Sequence, residues 1–299
     1  MVFTAPECLR PLFLGLPRVV YPLLFAAAAE TLLEASRTNL GATPGFVVVL
    51  HTWTQKLEPH PHVHCIATGG GLSLDGRAWV RCRPRFFLPV RKLSELFRGK
   101  LLDKLGKTVR REPVSSRWPA AKLLVRQAAR RLKWVVYCKA PLAGPEQVLR
   151  YLGRYTHRIA IGNERLIDLR DGWVRFTYKD RKRRRRRVER LPAEEFVRRF
   201  LLHALPRGLV RVRHYGLLAN GVKTRRLDLC RRLLGAPCDP KPTPKEKPSW
   251  TDTYERLVGR DPLLCPYCRV GRLVIVATIP PSASRAAAVH PAPRAPPTP

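Results

Sequence analysis

The stretch His60-Pro-His-Val-His-Cys-Ile-Ala-Thr-Gly-Gly-Gly-Leu72 constrains this chain more than any other, because it sets two histidines two residues apart inside an apolar run. Side chains alternate along a β-strand, so His62 and His64 share one face, with Cα atoms roughly 6.6 Å apart. Two imidazoles leaning together can take one cation between them at nitrogen distances of about 2.0–2.1 Å. A bare His-x-His is equally compatible with packing histidines, since a metal site needs a third ligand. Residues 45–55 are β-branched and aromatic, are followed by the turn residues Lys56-Leu-Glu-Pro59, and read as the partner strand of a hairpin. His51, Trp53 and Gln55 alternate onto one face of that partner, so His51 and Gln55 are both candidate third ligands. The register that would decide between them is not readable from sequence. The ion is equally open: imidazoles favour zinc or another transition ion, whereas phosphoryl transfer more often uses magnesium or manganese.

A second informative stretch, Gly144-Pro-Glu-Gln-Val-Leu-Arg-Tyr-Leu-Gly-Arg-Tyr-Thr-His-Arg158, opens with helix-start chemistry in Pro145 and Glu146. Tyr151 and Tyr155 follow at i and i+4, which turns their phenols to one side about 6 Å apart along the axis. Paired aromatics at this spacing usually belong to a core. Here Arg150, Arg154 and Arg158 form a basic row beside them, and a core face is rarely hemmed by guanidinium groups. Two phenols, a cation site and arginines make sense together as phosphodiester chemistry, with tyrosine as nucleophile and the cation and arginines stabilising charge on the phosphate.

Charge points the same way. The 57 Lys and Arg against 22 Asp and Glu leave a net charge of +35, which calls for a polyanionic partner, nucleic acid before an anionic membrane surface. The run Arg181-Lys182-Arg183-Arg184-Arg185-Arg186-Arg187 lies between strand-like segments and reads as a hairpin aimed at phosphates, its contacts supplying affinity without sequence. No run of 18 or more apolar residues is present, so neither a membrane span nor a signal peptide is expected.

The segments HPHVH, GGGLSLDGRAW, YLGRYTHRIAIGNERL and EEFVRRFLLHALPRGLVRVRHYG, in that order, resemble the two-tyrosine rolling-circle transposases of the HUH endonuclease superfamily, insertion-sequence-ninety-one type. The similarity runs from about residue 2 to about residue 279. It implies that His62 and His64 belong to the metal-binding triplet and that Tyr151 and Tyr155 are the nucleophiles. It further implies single-stranded DNA as substrate, a 5′-phosphotyrosine intermediate, a divalent cation (Mg or Mn) and a cytoplasmic protein. Rival readings are a DNA-binding remnant without catalysis, and a nickase of rolling-circle replication or mobilisation. The family carries a cysteine-rich zinc-binding region ahead of the nuclease, and this chain starts about where the family's first strand is under way. The expectation is single-strand nicking with poor selectivity for transposon ends.

The expected architecture is α+β: a central antiparallel sheet carrying the histidines, flanked by helices, with a basic β-hairpin and a short C-terminal C-x-x-C segment. Residues 1–236 form the nuclease domain, 237–249 a Pro/Lys-rich linker, 250–279 a short helix with the C-x-x-C, and 280–299 a disordered tail. Within the first, 18–36 reads as a helix, 107–118 as a basic loop, 120–132 and 192–205 as helices, and 209–215 as a strand. Strands are expected either side of the turn Asp171-Gly172. Gly69-Gly70-Gly71 reads as a strand exit or bulge rather than a phosphate loop, since no Lys-Ser/Thr follows. His203 and His214 are expected to pack or hydrogen-bond rather than to ligate. Eight scattered cysteines lack the density of a secreted disulfide scaffold. Only Cys265 and Cys268 have ligand spacing, and they are half of a structural zinc site that Cys230, Cys238 or His290 would have to complete.

Overall fold

The computed structural model describes residues 1–83, 87–111, 114–131, 134–139, 146–148, 153, 160–180, 183, 185–236, 249–259, 261–274 and 276. The chain divides into two compact units, Met1–Cys238 and Asp239–Pro299. Strands follow the chain as β1 (Val2–Thr4), β2 (Ala42–Thr43), β3 (Gly45–Trp53), β4 (Pro59–Ala67), β5 (Gly70–Ser73), β6 (Trp79–Arg81), β7 (Val136–Tyr137), β8 (Leu166–Arg170), β9 (Trp173–Asp180), β10 (Arg185–Pro192) and β11 (Val212–Gly216). Helices are α1 (Arg10–Gly15), α2 (Pro17–Leu40), α3 (Val90–Val109), α4 (Val114–Arg117), α5 (Ala121–Arg130), α6 (Ala193–Leu201), α7 (Lys223–Leu233) and α8 (Trp250–Val258).

The expected α+β class with a central antiparallel sheet is what the first unit shows. Its main sheet has five strands in the order β11-β3-β4-β1-β7, every neighbouring pair antiparallel. Alternation sorts this sheet into two faces. Phe46, Val48 and Leu50 of β3, Val63 and Cys65 of β4, Phe3 of β1 and Val136 of β7 point into one buried cluster, which is completed by Leu24, Phe25 and Leu32 of α2 and Leu93, Phe97 and Leu101 of α3. Each such side chain contributes roughly 1.5–3 kcal/mol by leaving water. Burial pushes the Cys65 thiol up to about 12, so it is an inert core residue beside two histidines that face the other way.

Helix α2 is long and apolar enough, by length and composition only, to cross a membrane. In this fold Val20, Leu24, Phe25, Ala28 and Leu32 belong to the core under the sheet, while Glu30 and Glu34 reach Lys104 (2.7 Å) and Lys100 (2.6 Å) of α3. A core helix therefore accounts for its apolar length. Helix α3 corrects the reading of 107–118 as a loop: it runs to Val109, and α4 follows within the same segment. The cause is a buried stripe of Leu93, Phe97, Leu101, Leu105 and Val109, one residue every four, among exposed basic residues.

Two small sheets complete the unit. In the sheet β2-β5-β6, Gly70 and Gly71 are strand residues rather than a bulge. A Cβ on Gly71 would stand 2.6 Å from the Thr43 backbone, so the glycine permits a close approach between strands. In the sheet β10-β9-β8, Asp171 and Gly172 form the expected turn, both at positive φ (51° and 76°), as a two-residue hairpin with right-handed twist requires. Val174, Phe176 and Leu191 of this sheet make a second core with Leu57, from the β3–β4 turn, and with Phe196 of α6.

In the second unit, α8 starts with a reciprocal cap in which Ser249 Oγ accepts from the Asp252 N–H and Asp252 accepts from the Ser249 N–H. Residues 261–274 then fold into a tight loop closed by a bridge between Leu264 and Arg272. At its tip, the backbone N–H groups of Val270 and then of Gly271 hold the Cys268 thiol below the ordinary cysteine range.

Candidate metal centre

The β3–β4 register sets His51 opposite His62 and Val49 opposite His64, which brings three imidazoles to the face turned away from the helices. Their donor nitrogens all lie within 4.8 Å of one another, and the three residues are buried or nearly so. The Nε2 atoms of His62 and His64 are 3.1 Å apart. Two ligands of one ion at about 2.0–2.1 Å sit roughly 3–3.4 Å from each other, so this pair has ligand spacing. His62 Nδ1 lies 2.6 Å from the His60 carbonyl oxygen. Its proton donates there, and in the neutral ring that leaves the Nε2 lone pair turned to the cluster, the outer-shell arrangement that orients metal-bound imidazoles. Three neutral imidazoles set this way could hold one divalent cation.

Of the two candidate third ligands, His51 joins the strand histidines in one cluster. Gln55 lies beyond a register shift between His51 and Trp53 and lines the same cleft as the histidines, and its carboxamide oxygen accepts from the Lys179 backbone N–H at 3.3 Å. His51 is held by Trp53, whose indole stacks on its ring at 4.7 Å with the planes 16° apart, while Arg211 lies over that indole at 5.2 Å. His60, with its ring 5.0 Å from that of His62, extends the imidazole row along β4. Neither Trp53 nor His60 stands out as a functional residue in the sequence, although both lie on the alternation that picks out their neighbours.

The turn under the site is locked by His203. Its Nδ1 accepts from the buried Thr52 hydroxyl (3.1 Å) and its Nε2 donates to the Leu57 carbonyl (2.9 Å). Leu57 sits at φ +61°, a backbone conformation costing a bulky residue on the order of 1–2 kcal/mol. Burial of its side chain and the His203 bond offset that cost. Replacing His203 by alanine is expected to destabilise the first unit by about 2–4 kcal/mol in urea titration, because two buried polar groups lose partners. Burial lowers the His203 pKa. Its neutral form therefore favours the fold fully above the ordinary histidine value of about 6.5, and that contribution is lost as pH falls through the lowered folded value. The wild type should accordingly lose more stability on acidification below pH about 6.5 than His203→Ala does; equal losses would contradict this role.

The imidazoles open onto a cleft of about 1490 Å³ whose lining includes Val2, Thr4, Trp53, Tyr137, Lys139, Arg165 and Lys179. Thr4 lies opposite His62 and Val2 opposite both His64 and Tyr137, so β1 and β7 carry the histidine face sideways. Arg165 braces one wall, donating to the Thr177 carbonyl at 2.7 Å and to the Gln55 carbonyl. Arg185, Arg186 and Arg187 lie on β10 and Arg183 in the turn before it, with Arg187 3.7 Å from Asp180. The strands β9 and β10 form the hairpin expected around the arginine run. Tyr151, Tyr155, Arg150, Arg154, Arg158, Lys182 and Arg184 lie outside the described residues. Cys265 and Cys268 belong to the second unit.

Residues 45–226 match the protein family described as "Putative transposase", in its two-tyrosine (Y2) class. Over 287 residues, 92% of this chain and 72% of the relative, the chain is 46% identical to "Putative transposase y4qJ" of Sinorhizobium fredii. It is 29% identical over 287 residues to the transposase for insertion sequence element IS801 of Pseudomonas savastanoi pv. phaseolicola, covering 93% of this chain and 67% of that protein. No solved structure matches the chain.

Proposed function

This chain belongs to the Y2 transposase family, and from that premise we propose that it nicks and rejoins single-stranded DNA through a covalent 5′-phosphotyrosine intermediate, as in rolling-circle transposition. The observation that carries this reading is the cluster of His51, His62 and His64 on the open face of the central sheet. A transposase of this class acts on phosphodiesters, and three imidazoles with donor nitrogens within 4.8 Å of one another supply a place for a cation that polarises a phosphate.

In this reading His51, His62 and His64 hold a divalent cation, which when bound stabilises charge on the phosphate oxygens. The nucleophile is Tyr151 or Tyr155. Its phenol oxygen bonds to phosphorus, the P–O3′ bond breaks, and the 3′ oxygen leaves as a hydroxyl while the phenol gives up its proton. The second tyrosine takes the other DNA end. A phenol at its ordinary pKa of about 10 is a weak nucleophile, so neighbouring positive charge matters. Lys139, Arg165 and Lys179 on the cleft are suited to following the backbone of a single strand.

The test is to incubate the chain with single-stranded oligonucleotides and Mn²⁺, denature, and search by mass spectrometry for DNA bound to protein. An adduct on Tyr151 or Tyr155 supports the reading. An adduct on Tyr137 or Tyr178, or cleavage with no adduct, overturns it.

The β9–β10 hairpin has a separate role in this reading, supplying affinity without sequence preference. Neutralising Arg183, Arg185 and Arg187 together should weaken binding to every single-stranded sequence alike. The slope of log affinity against log salt should flatten by about 0.7 for each phosphate that is no longer neutralised. A slope that stays at the wild-type value would show these side chains to be merely solvated.

A further inference from the structure

The second unit takes no part in the chemistry above, yet it presents two sulfurs in an ordered frame. The Cys265 N–H donates to the Gly271 carbonyl at 2.8 Å, the Arg269 N–H to the Cys265 carbonyl at 3.0 Å, and Leu264 bridges Arg272. These bonds fold residues 265–271 into a tight turn carrying both cysteines. The Gly271 N–H then points at Cys268 Sγ, 3.2 Å away. A Cβ at residue 271 would come within 3.3 Å of that sulfur, so glycine lets the backbone donor reach it. A backbone N–H aimed at sulfur favours the thiolate, the form that binds metals. Both cysteines are free thiols, Cys265 partly covered and Cys268 exposed.

Large apolar side chains near the two cysteines in sequence are exposed. Tyr267 is 95% exposed, Val270 84%, Val274 79% and Val276 95%. Bare apolar side chains flanking a half-formed ligand set in sequence are available to a partner surface. A zinc site is finished by four ligands in tetrahedral array. Among the described residues of this unit, Cys265 and Cys268 are the only cysteines or histidines. Asp261, the nearest acidic residue in sequence, is taken by Arg272 at 3.0 Å and by the Leu263 N–H at 2.8 Å.

We propose that Cys265 and Cys268 of one chain and the same pair of a second copy bind one zinc ion between them, joining two chains through their C-terminal turns. A two-fold axis through the ion supplies the missing pair with the same geometry as the first, and it brings the apolar side chains near the two turns together. One Zn²⁺ replaces four thiol protons over the two chains, with no oxidant or reductant involved. The thioredoxin-like redox use of a C-x-x-C belongs to a βαβ setting, and here Cys265 follows a strand bridge instead.

The full chain, reduced, is titrated with Co²⁺ and then Zn²⁺ while thiolate-to-cobalt charge-transfer absorption and mass in solution are followed. Thiolates give that absorption and imidazoles do not, so the histidine cluster cannot imitate the signal. The expected result is saturation at one charge-transfer metal per two chains, with a dimer that a chelator returns to monomer. Cys265→Ser and Cys268→Ser should each lose both signals, while His62→Ala keeps them. Absence of charge-transfer absorption, or its saturation at one metal per monomeric chain, would overturn the proposal, as would a dimer indifferent to chelator and to both serine variants.

Discussion

A His62→Ala/His64→Ala variant is expected to lose cation-dependent nicking by at least about a thousandfold at saturating DNA. Polarisation of a phosphoryl oxygen by a bound cation contributes several kcal/mol to the transition state, and about 4 kcal/mol corresponds to that factor. With both rings gone, only His51 of the clustered imidazoles remains, and one ligand does not fix an ion in a cleft. The Cys65 side chain cannot substitute, because it faces the helices and its thiol is pushed up to about 12. Two measurements separate loss of the ion from loss of the fold: Mn²⁺ affinity by calorimetry should collapse, and the urea midpoint should stay near the wild-type value. Nicking at the wild-type rate would exclude these histidines from the chemistry.

The second large effect concerns the tyrosines. Tyr151→Phe with Tyr155→Phe should abolish the covalent adduct and lower strand cleavage by on the order of 10⁴-fold or more, the scale seen when an enzyme loses its nucleophile. Phenylalanine keeps the ring and removes only the oxygen, so the bond to phosphorus cannot form. The single variants are informative in a different way. Each should leave one phenol able to attack, and each should stop the reaction after one DNA end is held, so cleavage survives better than joining. Rejoined product from either single variant at the wild-type yield would show that one tyrosine suffices.

The histidine pair is legible in the sequence because strand alternation is a local property: His62 and His64 share a face whatever their strand pairs with. Placing His51 opposite His62 requires the β3–β4 register, and so does placing Gln55, which lies beyond the register shift between His51 and Trp53. Both depend on pairing across strands, which no period in one strand reports. The position of the short strand Val2–Thr4 between β4 and β7 is not visible in the sequence, since three residues carry no record of their neighbours. Helix α3 is a different case. Its last residues, 107–109, fall in the segment read as a basic loop, and only Val109 of the five buried residues spaced every fourth position lies there to signal the helix. The glycines of β5 resemble a bulge in sequence because the reason for them lies in the Thr43 backbone, which only the folded chain brings near.

The order β11-β3-β4-β1-β7 has a consequence for what it costs to assemble the site. Of its four pairings, only that of β3 with β4 joins strands neighbouring in the chain. Val2 must find His64 and Tyr137, and Val212 must find Val49, across long loops of chain. Closing a loop costs entropy that rises with its length. All three clustered histidines ride on the single local pairing, between residues 45 and 67. The histidine cluster is thus the part of the sheet with the shortest loop to close, and the entropic burden falls on the strands that frame the cleft. Sequence changes that lengthen the distant connections weaken the walls of the site and leave the spacing of its imidazoles to a hairpin that needs neither.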